Sequence, residues 1–202
     1  AQASSAAAAW RAAWFQVLYD YALYLREQCN YVKAVKIAEK LKYYYSDPDM
    51  IVGDKKTANL DNLLANLYSD EHRYEEAEKL YQEALDVSRK LAERNADAYL
   101  PDVAMTCNNL ASLYRNEHRY EEAEQLYQEA LDVYRKLANK NADAYQPAVA
   151  MTCNNLANLY NDNHKYEEAE KLYQEALDVY RKLASEHYYI YVEIPSNVNW
   201  KT

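Results

Sequence analysis

Three times in this chain, at a spacing of 46 residues, nearly the same twelve-residue phrase recurs: Tyr74 to Leu85, Tyr120 to Leu131 and Tyr166 to Leu177. A fixed period between about twenty and fifty residues is the signature of stacked supersecondary units, each burying its apolar face against a neighbour. The fold question therefore reduces to what one unit is.

Within the middle unit, Ala123, Leu126, Tyr127, Ala130, Leu131, Tyr134 and Leu137 recur at three and four. Glu121, Glu124, Gln128, Asp132 and Lys136 fill the opposite side, the pattern of a helix with one buried stripe. Upstream, Val103, Cys107, Leu110, Ala111 and Tyr114 make a second stripe. The short polar run Arg115 to Arg119 separates the two, so each unit is predicted to be an antiparallel helical hairpin.

Leu110, Ala111 and Tyr114, then Tyr120, Ala123, Tyr127 and Ala130, resemble the signature of the tetratricopeptide repeat (TPR) family. The match recurs in register at Leu64, Ala65, Tyr68, Tyr74, Ala77, Tyr81 and Ala84, and again at Leu156, Ala157, Tyr160, Tyr166, Ala169, Tyr173 and Ala176. The period is longer than the usual 34 residues of the family. The surplus lies in Asp132 to Gln146, and such long repeats are similar to the kinesin light chain branch and to bacterial arrays. The resemblance implies an all-α, right-handed superhelical solenoid. The inter-helix turn has His72, His118 and His164 where glycine is customary, residues strained there if the backbone requires a positive φ.

Organisation along the chain follows. Residues 1–202 are expected to form a single solenoid domain. Residues 10–45 are a divergent first hairpin carrying the stripe Trp10, Trp14, Leu18, Tyr21 and Leu25. Tyr43 to Lys56 is a connector with Ser46-Asp47-Pro48-Asp49 as turn chemistry and Asp54 as a candidate helix cap. Long repeats occupy 57–100, 101–146 and 147–184. Residues 185–202 lose helical spacing from Ser185 on and read as a partial repeat or tail, leaving the apolar side of the last hairpin without an obvious cover.

Composition bounds the function. One Gly and four Pro among 202 residues leave little material for β-hairpins. A net charge of −9 without a basic patch argues against nucleic acid and anionic membrane surfaces as partners. No apolar run approaches the length of a membrane span. Cys29 makes the cysteine count odd, while Cys107 and Cys153, equivalent residues on the apolar face of a first helix, read as small core residues rather than a redox or metal set. The three turn histidines sit one per hairpin, too far apart to share a metal, and the Glu pairs at 75/76, 121/122 and 167/168 begin second helices, where the dipole favours them. No phosphate loop, nucleophile elbow or metal motif occurs, so neither enzymatic activity nor a cofactor is expected. Twenty-three Tyr stand against one Phe, a skew for which the sequence offers no physical reason.

The resemblance also implies where a ligand lies. In the family, late first-helix positions face a concave groove that holds extended peptides. Between Pro101–Ala138 and Pro147–Ala184 only about seven positions differ, and four of them, Ser112/Asn158, Arg115/Asn161, Asn116/Asp162 and Glu117/Asn163, cluster there. In kinesin light chain-like arrays a row of asparagines grips a ligand backbone, and Asn62, Asn66, Asn109, Asn155 and Asn158 are the candidates, since an amide both donates and accepts. The peptide-binding set is thus Asn62, Asn66, Asn109, Ser112, Arg115, Asn116, Asn155, Asn158 and Asp162. Two plainer explanations stand beside it: exposed residues drift freely, and each Asn bonds a neighbouring helix. A clamp for acidic peptide tails needs several converging cations, and only Arg115 qualifies. The expected function is a non-catalytic scaffold for a protein or peptide ligand. A subunit assembling head-to-tail into a fibre and the sensor arm of a larger regulatory protein are the alternatives. Compartment and partner identity are left open.

Overall fold

The computed structural model describes residues 2–46 and 53–188. They form eight helices: α1 Gln2–Glu27, α2 Tyr31–Tyr45, α3 Asp54–Asp70, α4 Tyr74–Arg94, α5 Ala96–Asn116, α6 Tyr120–Lys140, α7 Ala142–Asp162 and α8 Tyr166–Tyr188. No strand occurs among the described residues. Contacts divide the chain into two compact units, Ala1–Val133 and Tyr134–Thr202. In the first, α1 packs on α2, α2 on α3, α3 on α4 and α4 on α5; in the second, α7 packs on α8.

Each hairpin turns in the same way. Arg119 N–H donates to Tyr114 O at 2.8 Å and His118 N–H to Arg115 O at 3.0 Å, with His118 at φ 61°. That is the Schellman ending, in which one left-handed residue lets the last carbonyls find donors. His72, His164 and also Cys29 repeat the geometry at φ 61°, 59° and 55°. Histidine is among the better non-glycine residues in this region, and each of the three bonds through Nδ1 to the hydroxyl of Tyr74, Tyr120 or Tyr166 two residues on. The Arg73 and Arg119 guanidinium groups lie 3.8 Å from the Tyr68 and Tyr114 ring centroids, clasping helix end to turn.

Several expectations shift. Trp10 is 77% exposed, and Trp14 and Tyr21 are also exposed, whereas Phe15, Ala22 and Leu25 are buried. The buried face of α1 is thus rotated from the Trp stripe, because Phe15 is the ring that enters a cluster with Trp14, Tyr44 and Tyr45. Gly53, not Asp54, is the N-cap of α3, and Asp54 sits in the first turn, where its charge suits the helix dipole. Pro101 and Pro147 lie inside α5 and α7. Those helices already start at Ala96 and Ala142, because the Asn95 and Asn141 side chains accept from Ala98 N and Ala144 N and cap them. Ser185 to Tyr188 are the last turn of α8. The rest of the expected partial repeat or tail, 189–202, lies outside the described residues.

His118→Val should destabilise the fold by about 1 kcal/mol or more in urea unfolding, because a β-branched residue tolerates the left-handed region far worse. His118→Gly should be no less stable than the parent.

Candidate peptide-binding face

The first unit carries Asn62, Asn66, Asn109, Ser112, Arg115 and Asn116; the second carries Asn155, Asn158 and Asp162. On α5, Asn109, Ser112 and Asn116 lie at helical spacing on one face, the first two half-buried and the last exposed. On α7, Asn155, Asn158 and Asp162 repeat that arrangement, with Asp162 exposed. Arg115 is half-buried near the end of α5.

Asn62 departs from the row. It is 4% exposed, and its Nδ2 donates to Ala58 O at 3.2 Å and to Thr106 Oγ1 of α5 at 2.9 Å, leaving Oδ1 buried without a hydrogen bond. The reason is register: Asn62 lies 46 residues before Asn108, not Asn109, and one residue on a helix is a rotation of about 100°. Leu63 holds the position equivalent to Asn109.

Asn66, Ser112 and Asn158 share a single register. Each is bonded to the tyrosine fifteen residues on, in the second helix of its own hairpin. Tyr81 OH donates to Asn66 Oδ1 at 2.7 Å, Tyr127 OH and Ser112 Oγ are 2.7 Å apart, and Tyr173 OH donates to Asn158 Oδ1 at 2.6 Å. Tyr81 and Tyr127 are fully buried. The hydrogen bonds described for Asn66 and Asn158 use Oδ1 alone, so each NH₂ is available to donate. The sequence showed the aromatic positions but not these bonds, which need the two helices in place; Tyr rather than Phe at all three positions was the signal. Burial raises the Tyr81 phenol well above its ordinary range.

The remaining candidate chemistry is structural. Cys107 and Cys153 are buried, and burial, with Glu129 and Glu175 nearby, pushes their thiols up to about 12. Among the described residues no three His, Cys, Asp or Glu side chains form a metal-sized group, and no helix is long and apolar enough to cross a membrane.

Three outcomes are expected. Tyr127→Phe should cost about 1 kcal/mol in urea unfolding, the net value of one hydrogen bond. At neutral pH the exposed Cys29 should be the one thiol that reacts with Ellman's reagent in the folded chain. Because folding holds the protons of Cys107 and Cys153 to about pH 12 against a reference of 9.0, their contribution to stability is complete below pH 9 and is lost as pH rises toward 12; unfolding midpoints should fall over that window, and less so in a Cys107→Ala, Cys153→Ala variant.

Comparison with known proteins agrees with this geometry. The family model described as Tetratricopeptide repeat matches residues 57–95, 103–141 and 149–187, more than half of the chain. Among solved structures, the apo form of RapI superposes with a TM-score of 0.68 at 14% identity, over 87% of this chain and 58% of that one. At that identity the likeness shows the fold, an all-α solenoid of helical hairpins. The chain of BtubC (BKLC) from P. vanneervenii gives a TM-score of 0.45 at 18% identity, covering 90% of this chain and 84% of that one. No curated protein matches the sequence. With in-register matches in three hairpins that share one turn geometry, the chain belongs to the tetratricopeptide repeat family.

Proposed function

We propose that this chain is a non-catalytic scaffold that holds an extended segment of another protein against its first helices. The observation that carries the reading is the pair Asn66 and Asn158. In each, a tyrosine hydroxyl fixes the amide oxygen and so presets the NH₂, a donor able to meet a peptide carbonyl without reading the ligand's sequence. A donor fixed beforehand loses little entropy on binding. Asn109, Asn116, Asn155 and Asp162 extend the same faces with further polar groups, and Ser112 shows that the position tolerates a shorter side chain while keeping its tyrosine bond.

That tolerance supplies the test. Asn66→Ser and Asn158→Ser should keep the tyrosine bonds and leave stability nearly unchanged, while deleting both amide donors. Combined with Asn109→Ala and Asn155→Ala, they should weaken binding of a peptide selected from a random array on the parent by tenfold or more, since each hydrogen bond is worth about 1 kcal/mol. Unchanged affinity would end this reading. A head-to-tail fibre has in its favour the exposed Trp10 and Tyr24 on α1 and Leu177 on α8, but α2 presents Lys33, Lys36 and Lys40 toward solvent, like charges to the exposed Arg181 on α8. A role as the sensor arm of a longer regulatory protein is compatible with the chain spanning only 58% of the RapI chain.

A further inference from the structure

The face of α5 that carries Asn109, Ser112 and Asn116 also carries Met105, and the face of α7 that carries Asn155, Asn158 and Asp162 also carries Met151. Each methionine is four residues before the first asparagine of its row, which places it on the same stripe, about 6 Å away along the helix axis. One such methionine stands in each compact unit.

More than a third of each methionine is left in water. Met105 is 38% exposed and Met151 41%, whereas Ala104 and Thr106 beside the first, and Ala150 and Thr152 beside the second, are fully buried. Among the described residues of α3, α5 and α7, no other large apolar side chain is exposed. The charges nearby are already matched. Asp102, three residues before Met105, is held by Lys55 of α3 at 3.1 Å, and Asp70, at the α3 position equivalent to Asn116, is held by Arg26 at 2.6 Å. In α7 the position of Asp102 is taken by Ala148. Each methionine therefore makes an uncharged apolar spot beside a row of amides.

We infer that Met105 and Met151 set the side-chain preference of the peptide-binding face, each receiving an aromatic side chain of the extended segment whose backbone the neighbouring asparagines hold; this rests on the first-helix face binding such a segment. A thioether is polarizable and favours contact with aromatic rings, and three rotatable bonds let it fit rings of different size and tilt. Successive side chains of an extended segment point to opposite sides, so a residue turned toward the thioether keeps its adjoining backbone close to the helix, within reach of donors one turn away. Amides accept any backbone; the methionines admit Trp, Tyr or Phe and give nothing to charged or small residues. Selection of this kind is tolerant, as methionine-bearing surfaces are when they repack around different partners.

The test probes an array of random-sequence peptides with the full chain. Peptides retained by the parent should be enriched in aromatic residues. For one such peptide, titrated by fluorescence anisotropy, Met105→Ser combined with Met151→Ser should weaken binding about fivefold with the urea midpoint nearly unchanged. Once the aromatic residue of the peptide is replaced by alanine, the same variant should bind as the parent does. In NMR of the chain with isotope-labelled methionine methyls, assigned through Met105→Leu and Met151→Leu, both signals should shift on adding the aromatic peptide and stay in place with its alanine counterpart. Binders that depend on the amides of Asn66, Asn109, Asn155 and Asn158 but are enriched in aliphatic or charged residues, or bind the double serine variant equally well, overturn this inference and leave the scaffold reading standing. An array that retains no peptide overturns both.

Discussion

Two helices of a hairpin approach only as closely as the side chains between them allow, and in every long repeat three of the buried positions on those helices are alanine. Ala65, Ala77 and Ala84, then Ala111, Ala123 and Ala130, then Ala157, Ala169 and Ala176 are all nearly or fully buried. Small residues at a crossing bring helix axes toward the lower end of the usual range of about 8–10 Å. At that separation a tyrosine on the second helix spans the gap with its ring and still reaches a polar atom on the first. A larger residue at the crossing would separate the helices and break the bond before it displaced much apolar area.

The tyrosine excess, opaque in the sequence, acquires a reason at this level. Tyr81, Tyr127 and Tyr173 tie first helix to second; Tyr68 and Tyr114 donate to Glu39 and Glu78 of the preceding hairpin, each at 2.8 Å, while their rings receive Arg73 and Arg119; Tyr74, Tyr120 and Tyr166 bond the turn histidines. Each role joins an apolar ring to a directed hydroxyl. Phe would fill the same volume and leave Asn, Glu or His without its partner, at the cost of a net hydrogen bond each time. Eight of the 23 tyrosines are accounted for by these bonds, and repetition multiplies the choice.

Repetition also separates two kinds of surface. Along the first helices, Ser112, Arg115 and Asn116 are exchanged for Asn158, Asn161 and Asp162 with the hairpin geometry unchanged, and at the first of these positions the bond to the tyrosine of the second helix is kept. Toward the following hairpin the identities hold: Leu85, Leu131 and Leu177, or Arg89, Arg135 and Arg181.

The 46-residue period, the apolar stripes and the positions of the turns were determined by the sequence alone, because helix periodicity is local and three near-copies average out its exceptions. Family membership followed from the same positions. Which side of a stripe is buried was not legible where the pattern is shallow: the Trp stripe of α1 gave way to Phe15, and Asn62 turned inward because a single residue of register rotates a side chain away from the face that carries Asn66 and into the core. Nor could proline mark a boundary correctly, since Asn95 and Asn141 cap their helices six residues before Pro101 and Pro147. Hydrogen bonds between residues fifteen, forty or forty-four apart exist only once the helices are packed, so the clasp at Asn66, the ladder from Arg89 to Glu129 and the reach of Asn62 to Thr106 were decided by the tertiary structure.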